Sequence, residues 1–399
     1  MTTLAHATRL VATTRAVRPN RPLLDELGPD GFAWLRDGAG FVTSGVAAEV
    51  PADEVGAFLA AIEHEAPGDL PATGPIAVGG LPFDHTRTGS LVVPARVVGQ
   101  GPDGTAWVTE LHRAGAAGAV PVDPSPTEHP SRFLVSSVQS RARWRTEVLA
   151  ALSAIGAGQL DKVVLAREVL VEADRPFSRR DIVARLVGSQ PDCYVYAAGS
   201  LVGASPELLL ARTGDRVTSR PMAGTAARNG DDGSAVLGLS DSEKDHREHR
   251  HVVDAVLDVL TPCCAELHAD DVPVLARLTD VAHLMTSIEG RLRPPAPSAL
   301  ELARALSPTP AVAGSPRRQA LEFLQAVEDF DRGGYGGPVG WVDAHGDGEW
   351  AVALRGAELD RRRARLFAGA GIVAGSDPEA EWAETEAKLA PMLRVLVTP

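Results

Sequence analysis

Two stretches of this chain place carboxylates where a helix should bury apolar side chains. In DSEKDHREHR, residues 241–250, Ser240 and Glu243 form a capping-box pattern. The pattern predicts a helix from near Asp241 through HVVDAVLDVL. Stepping along one face from Asp245 gives Glu248, Val252, Val256 and Val259. Near the C-terminus, EAEWAETEAKL puts Glu381, Glu384 and Lys388 on one face that continues to Met392 and Val395. The start signals there are Ser376 with Glu379, and Pro378 in the first turn. A buried carboxylate is costly unless a cation or hydrogen bonds compensate it, so the fold must bring each helix a basic partner or a metal ion. If both pairs converge, they form an oxygen site suited to a hard cation such as Mg²⁺.

The rest of the chain predicts strands around these helices. SRARWRTEVLAALSAIGAG carries Trp144, Val148, Leu152 and Ile155 at helical spacing. DKVVLAREVLVEA, CYVYAAGS and LVGASPELLLART read as strands, and GPVGWVDAHGDGEWAVALRGAEL as a hairpin turning at Gly-Asp-Gly. Further strands are expected at GPIAVGGLPF, SLVVPARVV, TAWVTEL and ARLFAGAGIVAG, and a proline-punctuated connection at 118–131. Helices and antiparallel hairpins mix without a regular βαβ rhythm, which predicts an α+β fold.

Composition narrows the function. A formal charge of −13 argues against a general nucleic-acid surface. No apolar run has the length of a membrane span, and the N-terminus lacks a secretory pattern, so a cytoplasmic, membrane-free protein is expected. Cys193, Cys263 and Cys264 read as small core residues. His246, His249 and His251 lack the i, i+4 spacing of helical zinc sites.

The motifs KVVLAR (162–167), GASPELLL (203–210), PMAGTAAR (221–228), KDHREH (244–249) and PTPAVAG (308–314) follow in order along the chain. After them come YGGPVGW (335–341), EWAVALRGAEL (349–359), LFAGAGIV (366–373) and EWAETEAKL (381–389). Together they resemble the chorismate-utilising enzymes, and within them the isochorismate synthases. Residues 131–399 carry the resemblance, while 1–130 match loosely, as in LPFD and LVVP. The fold it implies is one two-lobed domain with large antiparallel sheets in the core and helices outside, expected as a monomer.

The implied reaction adds water at carbon 2 of chorismate, loses the carbon 4 hydroxyl and moves the ring double bonds, yielding isochorismate for siderophore, menaquinone or secondary-metabolite synthesis. In the family pattern Lys162 matches the base that activates water, and Glu207 the general acid. A carboxyl set among Pro206 and leucines is suited to staying protonated. Glu248 and Glu384 match the Mg²⁺ ligands, with Asp245 and Glu381 supporting them. Arg355 matches the residue for the enolpyruvyl carboxylate, with Tyr335 as hydroxyl donor. Gly224, Thr225, Gly369 and Gly371 would bring backbone N–H groups near the substrate, and His283 and Lys388 line the site. Ala311 stands where salicylate synthases carry Thr, which favours stopping at isochorismate. Ala223 differs from the lysine of aminodeoxychorismate synthases. Ser307 replaces a common His, a departure that bears on local packing. The competing readings are a salicylate synthase and a non-catalytic binding protein. Against the latter, a protein without chemistry has no need of Lys162, Glu207 and both acid pairs.

Overall fold

The structure, a computed structural model, describes residues 10–65, 72–113, 129–227, 234–279 and 281–398. Most of the connection expected at 118–131 lies outside them.

Several strands are apolar at nearly every position because both of their faces are buried. In Tyr194–Ala198, Tyr194, Tyr196 and Ala198 enter one core while Val195 and Ala197 enter another. Phe32 and Trp34 separate from Ala33 and Leu35 in the same way. Such strands form the middle of two long antiparallel ladders. One runs from Leu10–Val17 through Ala106–Arg113, Ser90–Gln100, Ala39–Pro51 and Ala33–Arg36. It continues through Tyr194–Ala198, Leu201–Ser205, Gly356–Asp360 and Arg363–Ile372 to Lys162–Ala173. The other takes Ile76–Gly80, Pro338–Asp343, Gly348–Val352, Leu208–Thr213, Arg216–Arg220, Ile288–Leu292 and Cys264–Ala269. The two join where Val78 pairs with Val92.

Trp34, Phe41, Tyr194, Val339 and Trp341 pack between the ladders, with Phe41 and Trp341 edge to face at 5.9 Å. Helices cover the outside. Arg141–Gly156, Glu243–Leu260, Ala299–Leu306 and Arg317–Val327 pack on one core, and Arg179–Ser189 and Pro378–Val397 on another. This is the expected α+β arrangement. A small separate sheet pairs Met222–Ala227 and Val274–Arg277 with Val281–Met285. Hydrogen bonds cross residue 130, since Ala33–Arg36 pairs with Tyr194–Ala198 and Ile76–Gly80 with Pro338–Asp343.

Local details correct the sequence reading at three places. The helix carrying Asp245 and Glu248 begins at Glu243, capped by Ser242, whose hydroxyl accepts from Asp245 N–H at 3.2 Å. Ser240 instead lies in a preceding helix, Ser234–Asp241. The C-terminal helix is capped by Asp377, which accepts from Glu379 and Ala380 N–H, while Ser376 accepts from Val373 N–H. The run LVGASPELLLART is two strands, broken at Pro206 and Glu207 because proline has no N–H for the ladder. In the helix Arg141–Gly156, Trp144 and Val148 are buried as expected, whereas Leu152 and Ile155 are half-buried.

Candidate active site

The strand break at Pro206 places Glu207 just before Leu208–Thr213, in the middle of the second ladder. Its backbone is fixed by Val352 N–H donating to the Glu207 carbonyl at 3.1 Å, and its side chain is buried. Burial pushes its carboxyl up to about 8, against the pull of Met222 N–H, Lys162, Lys388 and Arg355. It shares one cavity with Gly224, Thr225, Glu248, His283, Ala311, Tyr335, Arg355, Gly369, Gly371 and Lys388. Other clefts, beside Arg18 and Arg96 and beside Trp34 and Trp341, hold none of these residues.

Lys162, Asp245, Glu381 and Glu384 stand behind this lining. Lys162 opens the strand Lys162–Ala173 fully buried, its ammonium 2.9 Å from Glu248 Oε1. Burial works to raise the Glu248 carboxyl, but Lys162, Lys388 and Lys244 outweigh it and hold it below the usual range. Gly371 makes the pair possible: a Cβ there would meet Glu248 Oε1 at 2.6 Å and Lys162 Cε at 3.0 Å. Gly369 likewise leaves room for the Tyr335 hydroxyl, which a Cβ would approach to 3.1 Å. These two glycines therefore accommodate protein side chains, a use that their placement in the sequence did not suggest.

Two of the remaining acids have lysines of their own. Lys388 donates to Glu384 at 2.7 Å and to the Gly369 carbonyl at 3.0 Å, and Lys244 lies 3.3 Å from Glu381. Burial raises the carboxyls of Asp245 and Glu381, and the neighbouring acids Glu248 and Glu384 add to it. The four carboxylates thus share one electrostatic neighbourhood. Among the described residues no three His, Cys, Asp or Glu side chains are already gathered around a point that could hold a metal ion. The donor chemistry nevertheless suits Mg²⁺, since the acids are hard oxygen ligands on two helices, with Glu248 in the cavity wall.

Also lining the cavity, His283 has Nδ1 3.0 Å from the Gly224 carbonyl and Nε2 2.6 Å from Arg355 Nη2. An arginine can only donate, so Nε2 accepts and Nδ1 carries the proton. Burial, with Arg355 and Lys388 nearby, holds this imidazole well below its usual range and hence neutral. Arg355 has a left-handed backbone, φ 47°, unusual for a side chain of its size, which turns the chain out of Gly348–Val352 toward the cavity. Tyr335 stacks on Phe367 at 5.4 Å, and burial raises its hydroxyl. A buried protonated carboxyl, an inward lysine and an arginine with fixed orientation are equipped to hold an anion and move a proton across it.

A model of the chorismate binding enzyme family matches residues 48–397. The chain belongs to this family. It is 38% identical to isochorismate synthase DhbC of Bacillus subtilis, over 81% of each chain. To isochorismate synthase EntC of Escherichia coli it is 35% identical, over 92% of this chain and 95% of that one. The solved structure of MenF, the menaquinone-specific isochorismate synthase of Escherichia coli, superposes with a TM-score of 0.83 at 26% identity. That match covers 98% of this chain and 95% of the other. Among the described residues no helix is long and apolar enough to cross a membrane.

Some residues of this site carried no signal of their own. Lys244 stands in KDHREH, but only folding shows that it meets Glu381 across two helices. Val164 and Phe367, apolar strand residues among many, and Leu354, in the connection after Gly348–Val352, line the cavity. His249, the one buried member of the histidine group, shares a hydrogen bond with Thr286 Oγ1 at 2.7 Å, and among the described residues it belongs to no group of three or more possible metal ligands. Cys193 and Cys264 are buried and Cys263 half-buried, all as free thiols.

Proposed function

We propose that this chain is an isochorismate synthase, converting chorismate to isochorismate. Substrate and product are isomers: a hydroxyl enters at carbon 2, the carbon 4 hydroxyl leaves, and the ring double bonds shift between them. The observation that carries the reading is Glu207, a carboxyl held protonated beside a cavity that also holds Arg355 and adjoins Lys162. Similarity to isochorismate synthases over most of both chains supports the same reaction.

Lys162, as the free amine, takes the proton from the attacking water, and Glu207 delivers one to the departing hydroxyl. Arg355 binds the enolpyruvyl carboxylate through its planar fork, and the neutral His283 keeps that fork from rotating. Tyr335 presents a hydroxyl from the same side, and Ala311 leaves the ring unencumbered where a larger side chain would press on it. Glu248 and Glu384, supported by Asp245 and Glu381, would hold Mg²⁺, which when bound supplies positive charge for the ring carboxylate. Glu248 also holds Lys162, so the residue that binds the cation and the residue that binds the base are one.

The test is incubation of the purified protein with chorismate and Mg²⁺, followed by chromatography. Isochorismate as the main product is expected. Chorismate left unconverted, or salicylate as the main product, would overturn the reading.

A further inference from the structure

One edge of the strand Lys162–Ala173 is covered by side chains where a neighbouring strand would otherwise lie. Gly314–Ser315 pairs with it only at Val163 and Lys162, and Phe133–Ser137 takes over only from Val169. Buried backbone groups in the gap need partners. Gln139 and the Ala313 and Val138 backbone satisfy some of them, and Arg332 and Glu328 supply the partners of the Val164 carbonyl and Ala166 N–H. Arg332 donates from Nη2 to the Val164 carbonyl at 2.6 Å and from Nη1 to the Val312 carbonyl at 2.7 Å. Glu328 accepts from Ala166 N–H at 2.9 Å and from Arg332 Nε at 2.8 Å.

The two side chains are 3% and 6% exposed. A buried ion pair is weak evidence for a stabilising role, because apolar replacements often serve a core equally well. What this pair does that an apolar pair could not is hydrogen-bond the backbone of separate segments at once. Those segments border the cavity: Val164 lines it two residues after Lys162, Val312 lines it beside Ala311, and Tyr335 N–H bonds to the Arg332 carbonyl at 2.9 Å. Neither Arg332 nor Glu328 lines the cavity itself.

We infer that Arg332 and Glu328 are positioning residues that set the spacing between the Lys162 strand and the Ala311 loop. The assignment of a reaction to this spacing rests on the isochorismate synthase reading. Lysine keeps the charge at position 332, but a single ammonium cannot span two carbonyls and a carboxylate in the geometry of a guanidinium. Displacement of a reacting group by about 1 Å is enough to lower a rate about a hundredfold. Substrate binding through Arg355 and the acid-bearing helices lies on other elements and should survive.

The experiment compares Arg332→Lys and Glu328→Gln with the full-length parent. Arg332→Lys is expected to lose about a hundredfold in kcat per folded molecule, the folded concentration being measured independently, with little change in the KM for chorismate. Glu328→Gln, nearly isosteric, should show the same split more weakly. Amide exchange, which needs no turnover, should quicken at Val164–Ala166 and around Val312 in Arg332→Lys. Parental kcat in folded Arg332→Lys overturns the inference, as does equal loss in kcat and amount of folded protein with exchange unchanged. If Arg332→Lys does not fold, parental kcat in Glu328→Gln overturns it. A parent that leaves chorismate unconverted removes the functional reading alone, and unchanged exchange in Arg332→Lys would then remove the clamp.

Discussion

Glu207 shows how a single residue acquires a role from its surroundings. In water its carboxyl would be ionised at neutral pH; burial in the cavity wall pushes it up to about 8. Because this folded-state value lies above the ordinary one, the acid form is present below about 8 and is lost as pH rises through it. Turnover should therefore fall across that pH, and Glu207→Gln should lose on the order of a hundredfold to ten-thousandfold in rate and show no such fall in what remains. The same linkage gives a stability readout. The raised carboxyl stabilises the fold fully below its unfolded value of 4.5, and that contribution is lost as pH rises through about 8. Melting of Glu207→Gln should accordingly depend less on pH between 5 and 9 than melting of the parent. Lys162→Ala, folded and binding chorismate, should fall by at least the same lower bound, and near-parental turnover would remove Lys162 as the base. The sequence could mark Glu207 and Lys162 only through their motifs, since a glutamate after proline and a lysine opening a strand are ordinary in isolation. Their burial and the Lys162–Glu248 contact depend on strands and helices far apart in the chain.

At the scale of elements, the acid-bearing helices were legible because their carboxylates interrupt an otherwise apolar stripe. The stripe was read nearly in register: Val252 and Val256 are buried, but it ends on Leu260, with Val259 half-buried. Their starting points were not legible. Ser240 and Ser242 both offer a hydroxyl at a helix start, and the turn between two consecutive helices, not the local pattern, selects Ser242. Ser242→Ala should cost about 1 kcal/mol in denaturant unfolding while Ser240→Ala changes little. The lysines paired with the acids were equally hidden, because Lys244–Glu381 joins two helices separated by most of the C-terminal half. Such pairing makes a testable demand on the proposed cation site. Removing an oxygen ligand in Glu248→Ala or Glu384→Ala should abolish Mg²⁺ binding in calorimetry and the Mg²⁺-supported activity with it. Full turnover by either variant in EDTA would show that these acids serve their lysines and nothing else.

For the whole molecule, the weak resemblance of residues 1–130 and the strong one of residues 131–399 invite a cut between them that the sheets do not permit. Tyr194–Ala198 would lose Ala33–Arg36 from one edge, and Pro338–Asp343 would lose Ile76–Gly80. Tyr194, Val339 and Trp341 would also lose Trp34, Phe41 and Ile76 from the core between the ladders. Open strand edges beside a bared aromatic face template further pairing between chains. A fragment spanning 131–399 retains Lys162, Glu207 and both acid pairs, yet it should aggregate or bind a hydrophobic dye and convert no chorismate. Phe41→Ala in the full chain provides the milder version: it should cost about 3–5 kcal/mol by emptying the core between the ladders. That loss should appear equally in the fluorescence of the buried tryptophans and in the far-ultraviolet signal of the sheets. A soluble, active fragment, or a Phe41→Ala protein in which only one of those two signals shifts, would show that the N-terminal third folds as a unit of its own.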